Sequence, residues 1–187
     1  MNETIHKLKI TLRSVTPPVW RRIVVRSDLT LGELAPVLEG AMGWLGGHLH
    51  VFDVDGTRYG TPDPDWGDDD LDENKFRVHE VLPTVGSKLR WEYDFGDGWE
   101  HNVVVEKITP AESGFDYPVC LTGRRACPPE DCGGPWGYAE LLAVLADPAH
   151  PDHEHQRQWA PADFDPERFD PEEANLAMRS PRSLEGW

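Results

Sequence analysis

Cysteine is scarce in this chain of 187 residues. The three thiols, Cys120, Cys127 and Cys132, are an odd number, which excludes a scaffold held entirely by disulfides. Met1 to Ile10 lacks the charged-then-apolar order of a secretory leader, so a reducing, cytoplasmic setting is expected. No apolar run approaches the ~20 residues of a bilayer-spanning helix, so no membrane partner is expected. Positive charge is also in short supply. Eighteen Lys and Arg stand against 34 Asp and Glu, a formal charge of -16. That balance argues against a surface that grips nucleic acid or anionic lipid as a whole. What the chain does have is 8 Trp, 17 Pro and 17 Gly, with 39% hydrophobic residues. Large aromatics at this frequency point to a packed core broken by many turns.

Leu8, Ile10 and Leu12 alternate with Lys7, Lys9, Thr11 and Arg13, the pattern of a half-buried strand. Pro17-Pro18 interrupts it, and Trp20 to Arg26 reads as a second strand of an antiparallel hairpin. A helix follows. Thr30 and Glu33 have capping-box spacing, and Leu31, Leu34, Ala35, Leu38, Ala41 and Met42 repeat at helical intervals up to Gly43. Pro36 breaks the pattern, so the helix is expected to start near Pro36 or to have a distorted first turn. His48 to Val54 and Thr57 to Gly60 read as strands flanking an Asp55-Gly56 turn. Residues 62–73, with seven acids and no base, read as a solvated loop without the spacing of a calcium-binding helix–loop–helix.

Leu89, Trp91, Tyr93 and Phe95 alternate, as do Trp99, His101, Val103 and Val105. A three-residue Gly96-Asp97-Gly98 loop would place Phe95 opposite Trp99 and Tyr93 opposite His101, with all the bulky side chains on one face. Residues 110–135 hold all three Cys and read as irregular, before a helix over Trp136 to Ala146. Acid and Pro then accumulate, with a short helix expected near Pro171 to Arg179 and a tail over 181–187. The fold class is therefore α+β: one domain over 1–180, a mixed β-sheet with a β-grasp-like ββαβ start, and two or three packed helices.

Four stretches carry a resemblance. They are Val19-Trp20-Arg21-Arg22-Ile23; Gly43-Trp44 with His48-Leu49-His50-Val51-Phe52; Tyr93-Asp94-Phe95-Gly96-Asp97-Gly98-Trp99-Glu100-His101; and Cys127-Pro128-Pro129-Glu130-Asp131-Cys132-Gly133-Gly134 with Gly137-Tyr138. Together they make the chain resemble the plasmid pRiA4b ORF-3-like family over residues 4 to 178. Some members of that family are labelled passenger TnpR proteins of an insertion element. The resemblance implies a compact α+β domain and specifies no reaction. A resolvase would need a nucleophilic Ser among clustered Arg and a helix-turn-helix, and this sequence offers neither.

Several residue groups carry possible chemistry. Cys120, Cys127 and Cys132 with His101 are four N/S donors of the kind zinc prefers, although no Cys-x-x-Cys knuckle is present; the alternative is small buried hydrophobes. His48 and His50 would share a strand face. With Asp94, Asp97, His101, Glu130 and Asp131 they supply N and O donors for a divalent metal and, in a hydrolase or nuclease, for activating water. Asp94, Asp97, His101 and Glu130 are the catalytic candidates in that reading. The bland alternative makes His101 a hydrogen-bonded core residue and gives Asp94 and Asp97 to the hairpin turn. Asp94-Phe95-Gly96 imitates the metal-binding triplet of protein kinases, but no glycine-rich phosphate loop accompanies it. Pro128 to Gly134 reads as a rigid loop with Glu130 and Asp131 at a helix N-terminus. Its binding alternative is a pocket rim, with His48, His50, Trp99, Asp131 and Trp136 as ligand contacts. The first thirty residues invert the global charge, and that basic hairpin is the one place where nucleic acid would dock.

The expectation is a binding or accessory module without a reaction of its own, meeting a protein or small ligand. A metal-dependent hydrolase and a DNA accessory factor are the alternatives.

Overall fold

The computed structural model describes residues 3–62 and 70–179. The expected tail and most of the acidic loop lie outside the described residues. Strands β1 (Thr4–Leu12) and β2 (Trp20–Arg26) form the opening hairpin and lead into helix α1 (Leu31–Met42). Strands β3 (His50–Val54), β4 (Thr57–Gly60) and β5 (Leu71–Asp72), a 3-10 turn (Glu73–Lys75) and the short α2 (Val78–Val81) follow. Then come β6 (Lys88–Tyr93), β7 (Trp99–Pro110), β8 (Val119–Arg124), α3 (Gly134–Ala146), α4 (His153–Trp159) and α5 (Pro171–Arg179). The class is α+β, with eight strands and five helices among the described residues. The sheet order is β5-β4-β3-β6-β7-β1-β2-β8. Its pairs are antiparallel except β4–β5, which makes the sheet mixed. After the opening ββα unit, β3 lies beyond β6 and β7 rather than beside β1.

Alternation puts Leu8, Ile10, Leu12, Ile23, Val25, Leu89, Trp91, Tyr93, Trp99 and Val103 into one core with Leu31, Leu34, Leu38 and Ala41 of α1. Helix α1 runs unbroken from Leu31 through Pro36. The capping box secures its first turn: Glu33 N donates to Thr30 Oγ1 at 3.1 Å and Thr30 N donates to Glu33 Oε2 at 2.8 Å. Leu31 and Leu34 are fully buried on either side of that turn, so packing offsets the hydrogen bond that Pro36 cannot make. Gly43 closes the helix at φ 110, a left-handed cap.

The β6–β7 hairpin differs from its expected register. Tyr93 faces Trp99, Trp91 faces His101 and Leu89 faces Val103. The connection is five residues, 94–98, because Asp94 leaves the strand at φ 57 and its carbonyl accepts Gly98 N at 2.6 Å. A slip of two preserves the inward face, so only Phe95 changes sides; it is half exposed. The segment expected to be irregular contains the edge strand β8, paired with β2, and α4 had no expectation at all. Residues 70–73 are likewise not a solvated loop: Leu71 and Asp72 pair with β4, and Glu73 is buried.

The basic hairpin is not a free cationic face. Arg21 points inward and is 1% exposed. Arg22 and Lys7 meet Glu106, Arg13 meets Glu100, and Arg26 meets Glu3 and Asp28.

Candidate functional site

His48 does not lie in a strand. It sits just before β3, on the loop that Gly46 and Gly47 turn through positive φ. It therefore parts from His50: His48 turns toward Asp94 and Glu130, whereas His50 Nε2 lies 2.8 Å from Glu73 Oε2. Asp94 opens the hairpin connection, and its Oδ1 accepts Gly96 N at 2.9 Å. Glu130 comes from the loop before α3. Its Oε1 accepts Leu45 N at 2.7 Å and the Tyr93 hydroxyl at 3.2 Å. Glu130 is thus bound to the α1–β3 loop instead of serving the N-terminus of α3, whose cap is Gly133.

These three side chains converge. One ligand atom from each of His48, Asp94 and Glu130 lies within 4.8 Å of the others. His48 Nδ1 is 3.6 Å from Asp94 Oδ1 and His48 Nε2 is 3.7 Å from Glu130 Oε2, both beyond hydrogen-bond range. Asp131 Oδ1 stands 3.9 Å from the same Nε2. Glu130 Oε2 is buried with no hydrogen-bond partner. Burial raises the pKa of Glu130, while the Leu45 amide and His48 act against the shift. Burial also pushes the Tyr93 phenol up, so it stays protonated and donates to Glu130.

The turn and the loop are locked together. Gly133 N donates to Asp97 Oδ2 at 3.2 Å, so Asp97 bridges to the loop and is not in the converging trio. At Gly134, φ is 67 and a Cβ would collide with the Asp97 carbonyl oxygen, so only glycine fits.

His101, expected both as a catalytic candidate and as a zinc ligand, belongs to the core. Its ring is fully buried, with Nε2 3.3 Å from Trp44 Nε1–H and Nδ1 3.2 Å from the Trp91 carbonyl. Nε2 accepts and Nδ1–H donates, so neither nitrogen is open to a metal. Burial holds its pKa down to about 3. The three thiols do not join it: among the described residues, the one group within ligating distance is His48, Asp94 and Glu130. Cys120 is buried in β8, and burial pushes Cys127 well up and Cys132 to about 12, so all three stay as thiols. Trp99 is fully buried and so out of reach of a ligand, whereas Trp136 is 89% exposed. Leu45, Leu49 and Phe95 are also exposed, each next to a residue of the trio or its partners.

Sequence reasoning missed two carboxylates. Glu73 accepts from His50 and from Thr61 Oγ1. Glu39, on the polar side of α1, is raised in pKa by burial, with Glu130 and Glu73 adding to the shift and His50 and His48 opposing it. Glu39 was legible only as a break in the apolar repeat; no local pattern marked Glu73.

An α+β domain that gathers a histidine and two carboxylates from three separate loops is the class this fold and site define. The chain belongs to the plasmid pRiA4b ORF-3-like family, whose model matches residues 4–173. It is similar to the uncharacterized protein y4hQ of Sinorhizobium fredii, 41% identical over 167 residues, covering 88% of this chain and 86% of that one. It is also similar to the crystal structure of MM3350 from Methanosarcina mazei Go1, a protein of unknown function. There the TM-score is 0.83 at 37% identity, over 92% of this chain and 98% of that one.

Proposed function

We propose that this chain is a divalent-cation-dependent binding module with no reaction of its own, working in a reducing cytoplasm. His48, Asp94 and Glu130 are the metal ligands. The supporting observation is the buried Glu130 oxygen with no partner, facing an imidazole that is too far away to bond it. One nitrogen and two carboxylate oxygens suit zinc or manganese, and three protein ligands leave positions for a partner's oxygen atoms. Exposed Leu45, Leu49, Phe95 and Trp136 are the apolar contacts for that partner, a protein or a small ligand. The cytoplasmic setting rests on the three free thiols, and no helix among the described residues is long and apolar enough to cross a membrane.

Titration calorimetry of chelated protein with zinc and manganese tests this reading. One metal per chain is expected, with affinity reduced about hundredfold in Glu130→Gln. Equal affinity in wild type and variant sinks the site. The same open positions favour a second reading, a metal-dependent hydrolase in which the ion activates water. Turnover by metal-loaded protein on a panel of phosphoesters, esters and peptides, lost in Asp94→Asn, would replace the first reading with the second. The association with plasmids or mobile elements comes with the family name. A role on DNA has little support in the hairpin, where Lys7, Arg13, Arg22 and Arg26 meet acids and Arg21 is buried. DNA retention at low salt with a steep salt dependence would reinstate it.

A further inference from the structure

A cavity of about 680 Å³ opens between the C-terminal half of α1, residues 126–127 and the segment 161–177. That volume suits a small organic molecule. Its walls combine apolar and acidic groups. Leu45, Phe164 and Leu176 supply apolar surface, and Glu39, Asp163 and Asp170 supply carboxylates. Two arginines line it as well, and neither is free to receive an anion. The Arg21 guanidinium donates to the carbonyls of Ala41, Met42, Trp20 and Arg124 and stacks on Phe169 at 4.0 Å. Arg168 is paired with Glu173. Among the described residues no cation forms an ion pair with Glu39, and Asp163 and Asp170 lie near Arg168 but outside ion-pair distance. Glu39 is half-buried on α1, deeper than the exposed Asp163.

We propose that this cavity binds an organic ammonium ion carrying an aryl or alkyl body, with the ammonium beside Glu39 and the body against Leu45, Phe164 and Leu176. The charge balance selects the class. An anion would meet carboxylates without a free guanidinium, whereas a cation finds unpaired carboxylates beside apolar walls. The Phe164 ring lines the same cavity and gives an aryl or alkyl body an apolar wall to pack on. The cavity adjoins the His48 trio through Leu45, whose amide donates to Glu130, but its ligand needs no metal.

The test is titration calorimetry of the full chain with phenethylammonium, phenethyl alcohol and phenylacetate. The ammonium is expected to bind about tenfold more tightly than the alcohol, with the carboxylate weakest. Glu39→Gln should bring the ammonium down to the level of the alcohol and leave the alcohol unchanged. Phe164→Ala should weaken all three alike. If Glu39→Gln fails to fold, the wild-type preference for ammonium should still shrink as salt rises. Binding of the carboxylate as tightly as the ammonium, binding of none of the three, or an ammonium preference that survives Glu39→Gln in folded protein would each overturn the proposal. Titrations with chelator present separate the two sites. Unchanged binding supports the cavity; binding that needs metal places the ligand at the trio and removes the cavity inference alone.

Discussion

His101 and His48 are joined by a short chain of rings. His48 meets Tyr93 edge-on at 5.7 Å, Tyr93 stacks on Trp44 at 5.5 Å, and Trp44 meets His101 edge-on at 6.2 Å. One imidazole lies inside the aromatic core with both nitrogens committed, and burial keeps it neutral. The other stands at the rim among carboxylates it does not bond. The side chain is the same in both places; the number of satisfied donors and acceptors around it differs. A saturated histidine stabilises structure, while an unsaturated one beside an unpartnered buried carboxylate oxygen has capacity left for a ligand.

Four measurements would break or sharpen this contrast. Trp99→Ala removes a fully buried ring from the closed side and should cost about 3–5 kcal/mol in denaturant unfolding, whereas Leu49→Ala at the open rim should stay within about 0.5 kcal/mol. Similar costs would mean the rim is as tightly packed as the core. Next in size, His48→Ala should weaken divalent-metal binding about hundredfold, about 2.7 kcal/mol, with the unfolding midpoint of metal-free protein nearly unchanged. A large loss of metal-free stability would make His48 structural.

The third measurement is pH dependence. His101 has a folded pKa near 3 against an ordinary value of 6.5, so the unfolded chain takes up the proton first. Its contribution is fully present above pH 6.5 and is lost as pH falls toward 3, at about 1.4 kcal/mol per pH unit within that window. Glu39 and Glu130, raised by burial, work in the opposite sense, so the comparison must be with His101→Phe, in which this part of the slope should vanish. A variant with the wild-type slope would refute the neutral, caged assignment. Smallest is Thr30→Ala, which breaks the capping box of α1 and should cost about 1 kcal/mol by thermal unfolding while leaving metal binding alone.

Much of the fold was legible because its strands alternate over one long buried face. Leu8 to Leu12 and Leu89 to Tyr93 carry period two without interruption, and the helix signals at Thr30, Glu33 and Gly43 are local chemistry. What failed to show depends on contacts distant in sequence. β8 is a strand because β2 offers it an edge. The hairpin register moved by two because both registers bury the same face, and only the backbone turn at Asp94 distinguishes them. The candidate site was legible as a set of residue types and not as a grouping. Nothing near His48 in sequence indicates that it faces Glu130 rather than keeping company with His50, and Glu39 and Glu73 gain interest only once α1 and the 3-10 turn flank that loop.

The contact between Gly134 and the Asp97 carbonyl works as a mechanical stop. Asp97 shares its turn with Asp94, and Gly134 lies four positions beyond Glu130, so hard-sphere contact fixes how closely the two carboxylate-bearing loops can approach. The spacing of the site is thereby gauged by backbone, independent of whatever occupies it. A cation whose radius suits that gap would be chosen by tolerance rather than by strength of attraction, and even a methyl group at position 134 would reset the gauge without touching a ligand.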